Sequence, residues 1–229
     1  MGDTTSSLTL AGVTEPLAGV TEPISRQERK QRTRQALLDA ALDLLGDRGF
    51  ANLSLREVAK QAGIVPTAFY RHFASMDELG VALVEESMRS LRNLIRSARA
   101  TRRASFELIA SSVRTLYEHV RAQRAHFRFI VRERYGGTTA VSGAIAVELK
   151  LFASDLAVDL ARLDGLREWP TEDLHLLADL IVAAMLATVL DLLDVRPEDT
   201  EAAGRIVRIA EQRLRLIFLG ASRWRPAAG

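Results

Sequence analysis

The sequence predicts an all-α protein, and three observations carry that prediction. Apolar residues recur at three- and four-residue spacing along most of the chain, and no stretch shows convincing period-two alternation. Helix-starting signals such as S-x-x-E, or Ser before paired acids, stand ahead of these stretches, and Gly or Pro stands between them. The chain has 229 residues and is 48% hydrophobic, which is enough apolar matter for one or two packed domains.

Residues 1–24 stand apart. LAGVTEP occurs at 10–16 and again at 17–23. Leu10, Val13, Leu17 and Val20 fall at heptad spacing, but Gly12, Pro16, Gly19 and Pro23 oppose a helix, so a disordered tail is expected. From Ser25 the character changes. SRQERKQRTRQ carries Arg26, Arg29, Lys30, Arg32 and Arg34 against the single acid Glu28, and Leu37, Leu38, Ala41, Leu42 and Leu45 follow at helical spacing. The first helix therefore runs over about 26–47, with Gly49 read as the glycine just past its end. Ser54 and Glu57 form the capping box of a second helix, which Gly63 breaks. Pro66 fits the first position of a third, short helix over about 66–72, on which Phe69 and Phe73 share a face. Ser75 with Asp77 and Glu78 opens the next helix, whose apolar seam is Val84, Met88, Leu91 and Ile95. Further helices are expected at 104–121, 124–134, 138–163, 171–193 and 198–221. Residues 174–193 are apolar almost all round, the pattern of a helix buried on more than one side. The domain reading is a tail at 1–24, a helix-turn-helix domain at 25–75, a larger helical domain at 76–223 and a short tail at 224–229.

Composition narrows the function classes. The net charge is only +2, so any attraction to phosphate must be local. The chain has no Cys, which removes disulfides, thiolate catalysis and Cys-based zinc sites. None of the four His stands in an H-E-x-x-H or comparable metal spacing, and no G-x-S-x-G, phosphate-loop or dinucleotide fingerprint occurs. Neither an enzyme nor a metal or cofactor site is expected. No uninterrupted apolar run of membrane-spanning length and no secretion signal is read, which makes a soluble cytoplasmic protein without membrane association the default.

A helix, a Gly-containing turn and a short helix form the helix-turn-helix pattern, whose second helix enters the major groove of double-stranded DNA. Thr67, Tyr70 and His72 can donate to phosphate or base edges, and Arg71 to either. Ala68, beside Pro66, permits close approach. Ser54 and Arg56 lie at a helix start, where backbone N–H groups attract phosphate. From Arg26 to His72 nine basic residues face five acids, a local balance of +4.

TRQALLDAALDLLGDRGFANLSLREVAKQAGIVPTAFYRHFASMDEL, with its RGF corner, AG turn and FYRHF ending, resembles the N-terminal domain of the TetR family of transcriptional regulators over about residues 26–80. The resemblance implies a three-helix DNA-binding head, a larger ligand-binding body and a homodimer on a palindromic operator. It also implies that Thr33, Arg34, Ser54, Arg56, Thr67, Tyr70 and His72 fall on positions that touch DNA. Val65 departs from the pattern, because many members cap the third helix with a Ser there. A fainter likeness, in FYRHF, DELG and the tripeptide Arg132–Glu133–Arg134, is to the subgroup that represses unsaturated-fatty-acid synthesis. That likeness implies an effector of the long-chain acyl thioester class, such as an acyl-CoA, and control of lipid genes.

The body holds residues suited to a small hydrophobic effector. Phe106, Ile109, Val113, Leu116, Phe127, Ile130, Leu149, Phe152, Leu156 and Met185 are candidates to line an elongated apolar tunnel, and Arg132 and Arg134 are candidates for the phosphates of a thioester. Cores are built from the same residue types, so each of these also reads as plain packing. The helices at about 171–193 and 198–221 have apolar surface to spare for pairing with a second copy. One alternative is a drug- or metabolite-responsive repressor of an efflux or catabolic operon, for which acids or aromatics in the pocket would be the sign. A helical scaffold that binds no DNA is the remote one.

Overall fold

The computed structural model describes residues 25–46, 48–99 and 105–224, and every regular element among them is helical. The duplicated segment within 1–24, read as a disordered tail, and residues 225–229 lie outside the described residues. The helices are α1 (Arg26–Leu45), α2 (Leu55–Gln61), α3 (Pro66–Phe69), α4 (Met76–Arg99), α5 (Ser105–Ala122), α6 (Arg124–Gly136), α7 (Thr139–Leu160), α8 (Thr171–Asp194) and α9 (Thr200–Arg223), with a 3-10 turn at Phe50–Asn52.

Local chemistry sets the boundaries. α1 opens on a capping box: Ser25 Oγ accepts the Glu28 N–H at 3.1 Å, and Glu28 accepts the Ser25 N–H at 2.7 Å. It ends at Leu45 rather than at 47. Gly46, with φ +40°, makes the turn that L side chains resist, whereas Gly49 has φ −73° and leads the 3-10 turn. α3 is also shorter than its pattern suggested, because only Pro66–Phe69 is α-helical. Val65 stands at its N-cap with no side-chain acceptor, and the chain leaves through tighter bonds from Arg71 N–H to Ala68 O and from His72 N–H to Phe69 O. Thr138 caps α7 and Asp199 caps α9, the latter accepting the Ala202 N–H at 2.8 Å.

One apolar cluster runs from the head into the body without a break. It joins Leu37, Leu38, Val58, Phe69 and Phe73 to Phe50, Leu79, Leu83, Phe129 and Val141. A second cluster, among α5, α7, α8 and α9, includes Val113, Leu160, Leu174, Ala178 and Leu214. α7 packs against α4, α6 and α8, and α9 covers α5 and α8. The buried Glu148 of α7 pairs with Arg92 of α4. Arg124 of α6 donates to the carbonyls of Leu192 (3.0 Å), Leu193 (2.6 Å) and Val195 (2.9 Å), which answers the orphan acceptors at the end of α8. α8 is long and apolar enough to cross a membrane by length and composition. Here it is packed against α5, α6, α7 and α9, and it carries Asp179 and Asp191.

Candidate nucleic-acid interface and ligand cavity

α3 is anchored by two side chains and offers the others outward. Phe69 and Phe73 are 0% and 1% exposed, with ring centroids 5.7 Å apart. Pro66, Thr67, Tyr70 and Arg71 are exposed, and Ala68 is half-buried. Tyr70 is 63% exposed and meets the buried Phe69 ring edge to face. It does not close the small domain's core, which would have been the bland role for a tyrosine here. His72 is half-buried and its Nδ1 has no hydrogen-bond partner among the described residues. Desolvation, then Lys30, Arg34 and Arg71, push its pKa down, so the ring is neutral at pH 7.

Several flanking residues are already engaged within the head. Thr33 Oγ1 donates back to the Arg29 carbonyl at 3.0 Å. Arg34 turns its guanidinium over the Phe73 ring, 4.1 Å from the centroid, and donates to the His72 carbonyl at 3.0 Å. It thereby ties α1 to the exit of α3. Ser54 gives its hydroxyl proton to Glu57 (2.7 Å) and accepts the Glu57 N–H (3.3 Å). Arg56 is exposed at the head of α2.

The Glu57 carboxyl is held down to about 2 by the Ser54 hydroxyl, the Ser54 N–H and Arg48. A depressed carboxylate stabilises the fold above its unfolded pKa of 4.5 and ceases to do so as pH falls toward 2. The α2 amides are therefore expected to exchange faster with solvent as pH drops through that window, after correction for intrinsic rates. Glu57→Gln is expected to remove that component of the pH dependence.

The body holds a partly open cavity of about 1330 Å³. Of the residues read as tunnel lining, Ile109, Leu116, Phe127, Ile130, Leu149, Phe152, Leu156 and Met185 line it. Val113 does not: it is buried in the second apolar cluster, and the cavity passes it by. The Phe106 side chain lies outside the described residues. The sequence reading missed the walls given by α4 (Met88, Leu91) and α9 (Leu214, Phe218). Their only signal was ordinary helical periodicity.

The cavity's polar groups also differ from those expected. Arg132 and Arg134 are absent from its lining. On a helix two residues lie about 200° apart, so Arg132 points away from Ile130, which lines the cavity. Arg132 instead donates to the Arg48 carbonyl at 2.8 Å, and Arg134 lies over the Tyr135 ring at 5.1 Å. The end of the cavity beside the head carries Asp39 of α1, Glu86 of α4 and His126 of α6. Gln35 donates to Asp39 (3.0 Å) and to Glu86 (2.8 Å). Burial lowers the pKa of His126 while Glu86 and Asp39 oppose the shift, and burial likewise lowers that of His119. At the α7–α8 turn the lining includes Arg162, paired with Asp159, and Arg167, paired with Asp164. Among the described residues no group of His, Asp and Glu is arranged to hold a metal ion.

The comparisons agree with this architecture. Residues 37–83 match the family model "Bacterial regulatory proteins, tetR family", and residues 105–215 match "Tetracyclin repressor-like, C-terminal domain". Among solved structures, the chain is similar to the fatty acid degradation regulator FadR from Bacillus halodurans: 19% identity, TM-score 0.65, 84% of this chain and 97% of that one. It is similar to FadR from Bacillus subtilis in complex with stearoyl-CoA: 17% identity, TM-score 0.64, 80% and 96%. It is also similar to SCO4454, a TetR-family transcriptional regulator from Streptomyces coelicolor: 18% identity, TM-score 0.65, 84% and 97%. With a helix-turn-helix head and a helical body that match in series, this chain belongs to the TetR family, a family of DNA-binding transcriptional regulators rather than enzymes.

Proposed function

We propose that the protein is a cytoplasmic repressor that binds a palindromic operator as a homodimer and responds to a long-chain acyl thioester, so controlling lipid genes. The observation that carries this reading is the pairing of an outward-facing α3 with a large, mostly apolar cavity whose lining reaches into the apolar cluster that joins head to body. About 1330 Å³ exceeds the ~300–1,000 Å³ of ordinary small-molecule pockets and suits an elongated ligand. Burying a sixteen-carbon chain at ~0.8 kcal/mol per methylene contributes on the order of 12 kcal/mol before ordering costs. A relative of the same fold was solved with stearoyl-CoA. Leu176, Leu180 and Leu190 of α8 and Ile209, Leu216 and Leu219 of α9 are exposed, which supports a four-helix interface between two copies. α4 joins head to body and lines the cavity through Met88 and Leu91. An effector that favours one setting of α4 shifts DNA affinity by that preference and no more.

A drug- or metabolite-responsive repressor is the second reading, and Asp39 and Glu86 at the cavity end favour it, since carboxylates there suit a cationic amphiphile and disfavour phosphate. Extraction of the purified protein followed by mass spectrometry separates the two. Acyl thioesters or their acids are expected; a lipophilic cation would shift the reading to the second.

Arg34 gives a further test on the DNA side. Arg34→Ala is expected to weaken binding to all DNA sequences, because the exit of α3 loses its tie to α1. The salt slope is expected to stay almost constant, whereas loss of a direct phosphate contact would reduce it by about one.

A further inference from the structure

α6 presents two faces with different tasks. Phe127, Ile130 and Val131 line the cavity. Phe129, Arg132 and Glu133 grip the segment of the head that joins α1 to α2. Glu133 is 1% exposed, and its Oε1 accepts the Phe50 N–H at 2.9 Å. Phe129 meets the Phe50 ring edge to face at 6.0 Å, and Arg132 donates to the Arg48 carbonyl. Glu133 Oε2 is buried and has no hydrogen-bond partner among the described residues. A buried carboxyl group with one oxygen unpaired is costly, so it stays there only while Oε1 keeps its bond and the packing holds. Beside this joint lies a smaller cavity of about 210 Å³, lined by Asp43, Gly46, Arg48, Arg128, Arg132 and Glu133. It gives α6 room to shift, and three arginines, Arg48, Arg128 and Arg132, stand on its lining.

We propose that Glu133 is a positioning residue that latches the head to α6. Ligand-driven movement of α6 then reaches the head directly through the Phe50 segment, in parallel with α4. The latch has two settings: engaged on the Phe50 N–H, or released toward Arg128 and Arg132. Its regulatory use rests on the large cavity being the effector site. Its existence does not, and the test needs no effector.

The cysteine-free chain allows two spin labels to be placed, through Lys60→Cys on α2 and Lys150→Cys on α7, both exposed positions. Full-length labelled protein diluted into excess unlabelled protein reports the distance within one subunit by pulsed electron paramagnetic resonance. One narrow head-to-body distance is expected with Glu133 present. Glu133→Ala is expected to add a second population and to speed exchange of the Phe50 amide roughly tenfold. Glu133→Gln keeps an acceptor for that amide and is expected to restore the single distance. Gly137→Ala is an independent lever, since its Cβ would lie 2.5 Å from the Glu133 carbonyl oxygen and 2.9 Å from Oε2, and the second population should appear again. A distance distribution unchanged in both the Glu133→Ala and Gly137→Ala proteins overturns the proposal, even if their melting temperatures fall. If Glu133→Ala does not fold, Gly137→Ala decides alone.

Discussion

Tyr70→Ala is expected to abolish tight operator binding while leaving the protein folded. The ring is 63% exposed and meets Phe69 edge to face. Removing it uncovers little, so stability should change by no more than about 0.5 kcal/mol. A groove contact is worth about 1–3 kcal/mol, and a symmetric dimer loses it twice, so operator affinity should fall by roughly two orders of magnitude or more. Fluorescence anisotropy with an operator fragment, beside a thermal melt, checks both halves. Undiminished affinity would mean that another face of the head meets DNA. A large loss of melting temperature would mean that Tyr70 supports the core after all.

Gly80→Ala is expected to have the opposite profile, a fold effect with a functional consequence. Gly80 sits in α4 where the head's Phe50 and the body's Val141 converge. A Cβ there would lie 2.6 Å from Val141 Cγ2 and 2.7 and 2.8 Å from two Phe50 ring carbons. Both neighbours are buried, Phe50 at 2% and Val141 at 0% exposed, so neither can swing aside. Helix propensity alone would favour Ala by about 1 kcal/mol. Overpacking a dense core costs about 1–3 kcal/mol, and contacts this short lie at the upper end, so the clash wins. A melting temperature several degrees lower is expected, at about 2–4 °C per kcal/mol for a chain of this size. Operator affinity should fall as well, since displacing Phe50 from α4 shifts the head segment that carries it. A stabilised protein would show that the joint is looser than the structure has it.

What could be read in advance depended on how local the cause was. The Ser54–Glu57 capping box, Pro66 at the start of α3 and the alternation of buried Phe69 and Phe73 with exposed Tyr70 and Arg71 are decided within one or two turns, and they were legible. Glycine choice was less so. Gly46 and Gly49 both suit a helix end, and only the backbone angle shows which one turns the chain. The RER tripeptide was visible as a pattern, but its task depends on which side of α6 meets the head. Glu133 and Arg132 meet the head at the Phe50 N–H and the Arg48 carbonyl, and Arg132 and Arg134, the candidates for a thioester's phosphates, do not line the large cavity. The acid-lined cavity end draws Asp39, Glu86 and His126 from three helices far apart in the chain, and no spacing rule connects them. The sequence resemblance puts Arg34 among the DNA-touching residues; the partner it has within the head, the His72 carbonyl, is 38 positions away and no spacing rule points to it.

Hydroxyl-radical footprinting of the full-length protein on an operator fragment selected from random sequence tests the account most directly. Two equivalent protected patches, centred about 34–36 Å apart on one face of the duplex, with protection lost in Tyr70→Ala, are expected. A single patch, or protection that ignores sequence and survives Tyr70→Ala, would contradict a symmetric pair of α3 helices reading successive grooves.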